Sequence, residues 1–416
     1  MISSAIGYGI LTTFAWLLSL GWLWNLLEWL RNFPRIEDLN LNQITLPPLS
    51  EPSLLSDPAT PAAPHLTVIV PACNEAPSIA ATLRSLLAST GIRLQILAVN
   101  DRSTDQTGQI MEEVLADWQS QSLNQNPKQA LELIHIKELP FGWLGKPHAL
   151  ATAARRARAD WILFTDGDVR FAPQAAELAL RYAIAHQADH LVLMPDWTMA
   201  SPGEAAMHGA MHALSVWRIR LWRIPDPQRK DFLGVGAFNL IRRSSYHGIG
   251  GFDSLPMEII EDMRIGWKLK RAGYRQRVVL GPGLAAVRWS QGAWGVVRNL
   301  EKNLFALYRF RLPVALFASF GLLVQLVLPL AALWTGGWAR AAALLQFAAI
   351  ACLYLASRKV TRVRPMYVVA YPFAIALFLF AHLRSVTMAL FRGGVLWRGT
   401  LYSLKDLRAH AGGFWN

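Results

Sequence analysis

Four long apolar runs constrain the fold of this chain most strongly, because most of them reach the length that crosses a bilayer. The first run contains no charged residue, and it lacks both a basic start and a small-residue cleavage site, so we interpret it as an anchor and not as a signal peptide. The third run is short, and Trp338 is expected to extend it. In chain order the runs are Ile6–Leu27, Leu312–Leu333, Ala341–Ala356 and Met366–Leu383. The sequence therefore predicts one N-terminal and about three C-terminal transmembrane helices.

The net charge of +13 is compatible with nucleic-acid binding, but the positions of the basic residues argue against it. Many of them flank the apolar runs, which is typical of cytoplasmic loops and of attraction to anionic lipid headgroups. These residues are Arg31, Arg35, Arg309, Arg311, Arg358, Lys359, Arg362 and Arg364. We therefore expect a multi-pass protein of the inner (plasma) membrane, with residues 31–311 in the cytoplasm and no nucleic-acid partner.

The C-terminal tail conflicts with four complete crossings. Four crossings place the tail outside, whereas its basic residues Arg392, Arg398, Lys405 and Arg408 favour the cytoplasmic side. One segment is then re-entrant or interfacial, and the run Met366–Leu383 is the first candidate because it contains a proline. The predicted domains are an N-terminal transmembrane helix (1–30), a linker (31–64), a cytosolic catalytic domain (65–292), an amphipathic interfacial helix (293–311), transmembrane helices (312–390) and a basic tail (391–416).

From His65 onward, strand-like and helix-like segments alternate. Strands are predicted at Leu66–Pro71, Leu94–Asn100, Leu131–Ile136 and Trp161–Thr165. Helices are predicted at Ser78–Ser89, Thr104–Gln119 and Lys146–Ala159. Successive β-α units of this length predict an α/β fold with a mostly parallel sheet and helices on both faces. Ligands of such sheets bind beyond the carboxyl ends of the strands, so the polar residues there are the candidates for function.

A polar segment follows each of the four predicted strands. Each segment taken alone fits a turn or a helix cap, but together they converge on one cleft. The segments are Pro71–Glu75, Asn100–Asp105, Gly142–Pro147 and Asp166–Asp168. Carboxylates and amides suit a base and a ribose, while Lys146 and a metal ion suit phosphates. The combination indicates a nucleoside diphosphate site.

The last of these segments, Asp166-Gly167-Asp168, indicates a metal ion. Gly167 lets the backbone turn sharply, so that both carboxylates approach one point. Two close carboxylates repel each other unless a cation lies between them, and Mg²⁺ or Mn²⁺ also binds phosphate oxygens. The alternative is an ordinary Asp-Gly turn after a strand.

These segments together resemble the family 2 glycosyltransferases, which have the Rossmann-like GT-A fold. The resemblance extends from about His65 to Leu307. It is carried by the segments Val68–Glu75, Asn100–Asp105, Gly145–Lys146, Asp166–Asp168, Gly234–Phe238, Gly250–Asp253 and Glu261–Asp262. It implies an inverting hexosyl transfer from a nucleotide-sugar donor, and a UDP-sugar is the donor that we expect.

The resemblance also implies a role for individual residues. Asp262 is the implied general base, Asp168 the implied ligand of Mg²⁺ or Mn²⁺, and Glu261 accompanies the base. The implied donor-binding residues are Pro71, Asn74, Glu75, Asp101, Lys146, Asp166 and Gly236. The chemistry agrees, because inversion needs a carboxylate that accepts the proton of the acceptor hydroxyl, and a departing diphosphate needs its charge neutralised. The alternative for Glu261 and Asp262 is an ordinary acidic first turn of a helix.

One departure from the family bears on the acceptor. Processive polysaccharide synthases of the family carry a Gln-x-x-Arg-Trp signature after the base, and no Arg-Trp pair follows Gln291 at that spacing. A single transfer onto a membrane lipid is therefore expected, as in the bacterial ceramide-type, hopanoid-type and carotenoid-type lipid glycosyltransferases that the layout resembles. Arg288, Gln291 and Trp294 are candidates to replace the missing signature near the phosphates or the acceptor.

Two amphipathic stretches, Ala205–Trp222 and Trp294–Arg309, are predicted helices. We expect them either to lie on the bilayer around a lipid entrance or to pack their apolar faces against the catalytic domain. Three other functions stay open at this stage: a processive polysaccharide synthase, a non-catalytic membrane protein that senses a nucleotide, and a transporter. The apolar runs lack the intramembrane charges of a transport path, so the transporter is the weakest alternative.

Overall fold

A computed structural model describes residues 2–40, 46–49, 64–122 and 128–411. Most of the predicted linker, at 41–45 and 50–63, lies outside the described residues. The chain divides into two compact units. A helical unit comprises residues 1–35, 197–220 and 289–397, and a sheet unit comprises 36–196, 221–288 and 398–416.

The strands centre on a seven-stranded sheet with the order β3-β2-β1-β4-β8-β6-β9. Within it, β8 runs antiparallel to β4 and β6, and the other neighbours are parallel. The described strands are β1 (Leu66–Ala72), β2 (Leu94–Asp101), β3 (Gln129–Ile136), β4 (Trp161–Phe164), β5 (Val169–Phe171), β6 (His190–Met194), β7 (Asp196–Trp197), β8 (Asn239–Arg242), β9 (Gln276–Leu280), β10 (Ala285–Val287), β11 (Gly394–Trp397) and β12 (Thr400–Ser403).

The helices cover both faces of this sheet and form the bulk of the helical unit. They are α1 (Ile2–Asn32), α2 (Ile79–Leu87), α3 (Thr107–Ser122), α4 (Gly145–Ala154), α5 (Ala175–Ala185), α6 (Pro202–Ser215), α7 (Arg243–Gly248), α8 (Glu261–Arg271), α9 (Gly292–Leu307), α10 (Leu312–Thr335), α11 (Gly337–Thr361), α12 (Tyr371–Phe391) and α13 (Leu404–His410).

The central strand β1 is buried along its whole length, as expected for a parallel strand covered on both faces. Its alternate side chains enter two separate cores. Val68 and Val70 pack with residues of α2, α3 and α5, whereas Ile69 packs with residues of α4 and α8. The α/β fold class predicted from the sequence, with its mostly parallel sheet, is confirmed.

Two predicted helices end earlier than their apolar spacing suggested. Helix α4 stops at Ala154 and not at Ala159, because the N–H groups that follow bond elsewhere: that of Arg158 donates to Gln95 Oε1 and that of Ala159 to Thr67 Oγ1.

Helix α6 stops at Ser215 and not at Trp222. Beyond its end the ring of Trp217 packs edge-on against Trp22 of α1, with ring centroids 5.3 Å apart. Several apolar side chains of α6, among them Met207 and Ala210, are buried, and the helix belongs to the helical unit. The predicted packing of this stretch against the catalytic domain is therefore not what the structure shows.

Four helices of the described chain are long and apolar enough to cross a membrane. They span 5–35, 312–335, 337–361 and 365–391, which confirms the predicted one N-terminal and three C-terminal candidates. The third begins at Gly337, so Trp338 extends it as expected. Polar contacts join these helices: Ser19 Oγ donates to the Ala342 carbonyl over 2.6 Å, and Trp22 Nε1 donates to Gln325 Oε1 over 2.9 Å.

Candidate active site

The loops after β1 and β2 are joined by the side chain of Asn74. Asn74 has a φ of 57°, in the left-handed region that asparagine tolerates better than most residues. Its Oδ1 accepts the N–H of Thr104 over 2.8 Å and that of Asp105 over 3.3 Å. Asn74 therefore fixes the two loops to each other, and its own acceptor oxygen is occupied by backbone.

Glu75 lies beside Asn74 and is held from three directions. Its N–H donates to Thr107 Oγ1 over 2.7 Å, Ser78 Oγ donates to its Oε2 over 3.3 Å, and Arg398 Nη2 donates to its Oε1 over 2.6 Å. The loop after β4 approaches this strand end closely, since a Cβ on Gly167 would lie 3.3 Å from the carbonyl oxygen of Pro71. Pro71 itself is a buried residue of β1.

Asp101 is buried at the end of β2 and pairs with its neighbour Arg102. The guanidinium donates from Nε to Oδ1 over 2.8 Å and from Nη2 to Oδ2 over 3.2 Å. The hydrogen bonds that Arg102 donates to the Asp101 carboxylate raise the pKa of Arg102. A Cβ on Gly145 would collide with both side chains, so α4 begins against this pair only because its first residue is glycine.

Lys146, the second residue of α4, binds two acids. Its Nζ lies 2.6 Å from Asp166 Oδ1 and 2.5 Å from Glu261 Oε1. Burial disfavours the ammonium charge, but the carboxylates of Asp166, Glu261 and Asp262 outweigh burial and raise the pKa of Lys146. Three predicted residues, Lys146, Asp166 and Glu261, thus form one cluster.

Asp168 completes the acidic segment after β4. Burial, and after it the charges of Asp166 and Glu75, raise the pKa of Asp168 to about 7. Such a carboxylate is stabilised when a cation approaches it, so the residues fit a divalent ion. Within the ranges that the structure describes, no group of three or more His, Cys, Asp or Glu side chains is placed to hold a metal by itself. Oxygens from a phosphate ligand would have to complete the coordination of such an ion.

Asp262 lies in the first turn of α8, and both of its oxygens accept backbone N–H groups. Gly236 donates to Oδ2 over 2.8 Å and Met263 donates to Oδ1 over 2.7 Å. Burial and the charge of Glu261 raise the pKa of Asp262 to about 6, although Lys146 acts in the opposite direction. A carboxylate with this pKa is ionised near neutral pH and is a stronger base than an ordinary aspartate.

Glycines let the Gly234–Gly236 loop approach closely enough for the N–H of Gly236 to bind Asp262. A Cβ on Gly234 would overlap the backbone of Asp262, and one on Gly236 would lie 2.6 Å from Asp166 Oδ2. The predicted donor residue Gly236 is therefore placed between the acidic segment after β4 and the first turn of α8.

A buried polar network behind this loop was missed by the sequence analysis. His190 Nε2 lies 3.0 Å from Asn239 Oδ1, which also accepts the N–H of Val235 over 3.3 Å. Gln276 exchanges two hydrogen bonds of 3.0 Å with the backbone of Leu233. Burial lowers the pKa of His190 to about 4, so the imidazole is neutral. The residues come from β6, β8 and β9, and their spacing in the sequence gives no signal of this meeting.

The three residues proposed to replace the missing signature lie in different parts of the fold. Arg288 is exposed directly after β10 in the sheet unit. Gln291 precedes α9 as its N-cap, and Trp294 is exposed in the first turn of α9, both in the helical unit. The Trp294 ring lies 5.8 Å from that of Phe380 in α12.

This chain is similar to known glycosyltransferases. The sequence model of glycosyl transferase family 2 matches residues 67–250 of this chain. The glycosyltransferase class predicted from the sequence is the class of this family. The matched range contains β1 to β4 with all four strand-end segments, and Gly236, whereas Glu261 and Asp262 follow it.

The individual relatives share less than 30% sequence identity with this chain. N-acetylglucosaminyl-diphospho-decaprenol L-rhamnosyltransferase of Mycobacterium tuberculosis is 27% identical over 131 residues, which is 28% of this chain and 43% of that protein. This chain therefore matches less than half the length of that curated relative. Among solved structures, the mannosyltransferase PcManGT from Pyrobaculum calidifontis, in complex with GDP-Man and Mn²⁺, has a TM-score of 0.48 at 19% identity, with 91% of this chain and 99% of that chain covered. S. aureus TarS 1–349 has a TM-score of 0.38 at 15% identity, with coverages of 81% and 95%.

Proposed function

We propose that this protein is an inverting glycosyltransferase that moves a single sugar from a nucleotide-sugar donor, UDP-linked in the first instance, to a membrane lipid. The family 2 domain supports sugar transfer. The four candidate spans support a lipid acceptor, and the relative with a decaprenol-linked substrate in its name supports the same class. We place the catalytic domain on the cytoplasmic side of the inner membrane, because basic residues flank the apolar runs on that side.

The observation that carries the proposal is the setting of Asp262. Its raised pKa, its two backbone hydrogen bonds and its position beside the cluster of Lys146, Asp166 and Glu261 are those of a general base next to an anion site. In the reaction, Asp262 takes the proton of the acceptor hydroxyl. The acceptor oxygen forms a bond to the anomeric carbon, and the bond from that carbon to the diphosphate breaks on the opposite face. The configuration at the carbon is thereby inverted.

The other residues bind and orient the donor. We assign the nucleoside to the strand ends that carry Pro71, Asn74, Glu75 and Asp101, and the diphosphate and sugar to Lys146, Asp166 and Gly236. Asp168 would hold Mg²⁺ or Mn²⁺, which as a Lewis acid would neutralise the charge of the departing diphosphate. Lys146 adds a second positive charge, and its two acidic partners keep its ammonium protonated and in place.

The acceptor is assigned to the inner leaflet of the membrane. The absence of the Gln-x-x-Arg-Trp spacing supports one transfer per acceptor over chain growth. Arg288, Gln291 and Trp294 stay candidates for contacts with the acceptor or the phosphates. The exposed ring of Trp294, with Arg384 5.7 Å from it, suits the boundary between lipid tails and headgroups.

A transfer screen tests this function. The full-length protein in lipid nanodiscs is mixed with Mn²⁺ or Mg²⁺ and a panel of sugar nucleotides, and release of nucleoside diphosphate is followed with and without total membrane lipid. We expect release with one donor that rises when lipid is added, and a lipid product heavier by one sugar. A ladder of product masses would contradict single transfer. Absence of release with every donor, beside clear nucleotide binding, would favour a nucleotide-sensing protein.

A further inference from the structure

The short connection between β11 and β12 holds an arginine in an unfavourable backbone conformation. Arg398 and Gly399 have φ values of 48° and 81°. Two successive positive φ values define the tight hairpin turn that favours asparagine and glycine at its centre. Glycine adopts such values freely, whereas arginine rarely does. An arginine that keeps this conformation needs favourable side-chain contacts that offset the backbone strain. Strained residues of this kind concentrate at functional sites.

The side chain of Arg398 ends at the carboxyl end of β1. Its Nη1 donates to the carbonyl oxygen of Cys73, and its Nη2 donates to Glu75 Oε1 over 2.6 Å. Both partners belong to the segment to which we assign the nucleoside of the donor. Arg398 and Glu75 are 323 positions apart in sequence but lie in the same compact unit.

The residues after Arg398 keep the tail in this place. Tyr402, Leu404 and Leu407 are buried, and Ser403 Oγ accepts the N–H of Asp406 over 3.1 Å as the N-cap of α13. Arg398 is therefore presented by a folded segment.

The contact leaves Glu75 able to bind a ligand. An ionised carboxylate accepts roughly four hydrogen bonds, and Glu75 accepts two from side chains, those of Arg398 and Ser78. Without Arg398, the Glu75 carboxylate would still be repelled by the charge of Asp168 but would lose its ion pair with this guanidinium. Charge-assisted hydrogen bonds from a planar guanidinium fix orientation better than bonds between neutral groups.

We propose that Arg398 is a positioning residue of the donor site, which holds the Glu75 carboxylate in the orientation that recognises the nucleoside. The C-terminal tail is then part of the donor site, so donor binding depends on a segment that follows the last membrane helix. This inference rests on the donor site of the proposed function, but not on the identity of the acceptor or on turnover.

Binding measurements on the full-length protein in nanodiscs test it. The probes are UDP and uridine, with GDP and guanosine as a second pair. The variants are Arg398→Ala, Arg398→Lys, Glu75→Gln, the double variant Glu75→Gln/Arg398→Ala and, as a matched control, Lys405→Ala, which removes an exposed charge from the same tail. Melting temperatures identify any variant that fails to fold.

We expect Arg398→Ala to weaken the nucleoside and its diphosphate alike, by about tenfold. Arg398→Lys should recover part of the lost affinity, because lysine keeps the positive charge but does not donate two hydrogen bonds from a planar group. Lys405→Ala should bind like the wild type. The double variant should bind no more weakly than Glu75→Gln, because Arg398 acts through Glu75.

Four results would overturn the inference, and the first is binding by Arg398→Ala that equals that of the wild type. A loss confined to the diphosphate would show a direct phosphate contact, tighter binding would show that Arg398 blocks the site, and additive losses in the double variant would separate Arg398 from Glu75. Its failure is distinguishable from that of the proposed function. If the wild type binds UDP but transfers no sugar, only the proposed function is contradicted. If the wild type transfers sugar and Arg398→Ala binds UDP normally, only the inference about Arg398 is contradicted.

Discussion

Lys146 Nζ lies 2.5 Å from Glu261 Oε1, and this ion pair joins the first turn of α4 to the first turn of α8. Only 5% of the Glu261 side chain is exposed, so its charge depends on Lys146 for compensation. The neighbouring Asp262 lies in the same turn. The pair therefore connects the residue that we assign to phosphate with the residue that we assign as the base.

Replacing Lys146 by methionine should destabilise the protein and stop transfer. Removal of one partner leaves a buried charge uncompensated, which costs roughly 3–5 kcal/mol in buried pairs. Chemical unfolding of the variant in detergent, followed by tryptophan fluorescence, measures the loss. The double variant Lys146→Met/Glu261→Gln should recover most of the stability but none of the activity. A single variant as stable as the wild type would contradict the role given to the pair.

Replacing Asp168 by asparagine should stabilise the metal-free protein at alkaline pH. The pKa of Asp168 is raised to about 7 in the folded protein. The contribution of Asp168 to the stability of the folded state is therefore fully present below the pKa that the group has in the unfolded chain, and it is lost as the pH rises through about 7. Above that pH the variant avoids a repulsive charge, and its melting temperature should exceed that of the wild type by about 2–4 °C, which corresponds to about 1 kcal/mol.

The same Asp168→Asn variant should no longer be stabilised by Mn²⁺ added together with UDP. The matched control is Asp160→Asn, which removes a carboxylate that is 89% exposed in the same unit. Melting curves in the presence and absence of metal decide the point. If Mn²⁺ raises the melting temperatures of the variant and the wild type equally, Asp168 is not the metal ligand.

The transfer rate at saturating donor should fall as the pH drops below about 6. The base must be deprotonated to accept the acceptor's proton, and the pKa of Asp262 is raised to about 6. Each further pH unit should then lower the rate by about tenfold, because the ionised fraction falls by that factor. A pH series of initial rates tests this expectation, and a rate that stays constant down to the ordinary range of aspartate would contradict it.

Much of this site follows from the sequence, because parallel strands bring their carboxyl ends to one edge of the sheet. Asp101, Lys146 and Asp166 were predicted to share a cleft on that ground, and Asp262 entered through a resemblance. The structure places Asp166 and Glu261 on the same ammonium. That contact depends on where α8 begins relative to α4, which local patterns do not determine.

Contacts between distant segments were the ones that sequence reasoning missed. Arg398 was interpreted as one of several basic tail residues, because nothing local connects it to Glu75. The His190, Asn239 and Gln276 network likewise joins three strands that no short-range pattern pairs. In helix α6 the sequence predicted more than the structure contains. Its helical apolar spacing continues beyond Ser215, but the helix ends at that residue.

The C-terminal tail should lie on the same side of the membrane as the sheet. Residues 398–411 belong to the sheet unit, yet three candidate spans separate them from residue 288. Because one compact unit needs an even number of crossings between its segments, we expect one of the three not to cross. The helix at 365–391 is our candidate: it contains Pro372, and its Arg384 binds Glu301 of α9 over 2.7 Å.

Labelling of single cysteines in intact cells with a membrane-impermeant maleimide tests this topology. Cysteines at Asp160 and Lys405 in a Cys73→Ser/Cys352→Ser background should both be protected until the cells are permeabilised. A cysteine at Trp338, in the first turn of α11, should react in intact cells. Opposite labelling of positions 160 and 405 would show that all three helices cross.

The most direct test of the account is transfer and donor binding in Asp262→Asn, measured side by side. Asparagine keeps the shape of the side chain but does not act as a base, so the rate should fall by about 10²–10⁴-fold, the usual contribution of general base catalysis. The affinity for UDP with Mn²⁺ should stay within about twofold of the wild type. Turnover retained in this variant, or binding lost together with turnover, would contradict the assignment of Asp262 as the base.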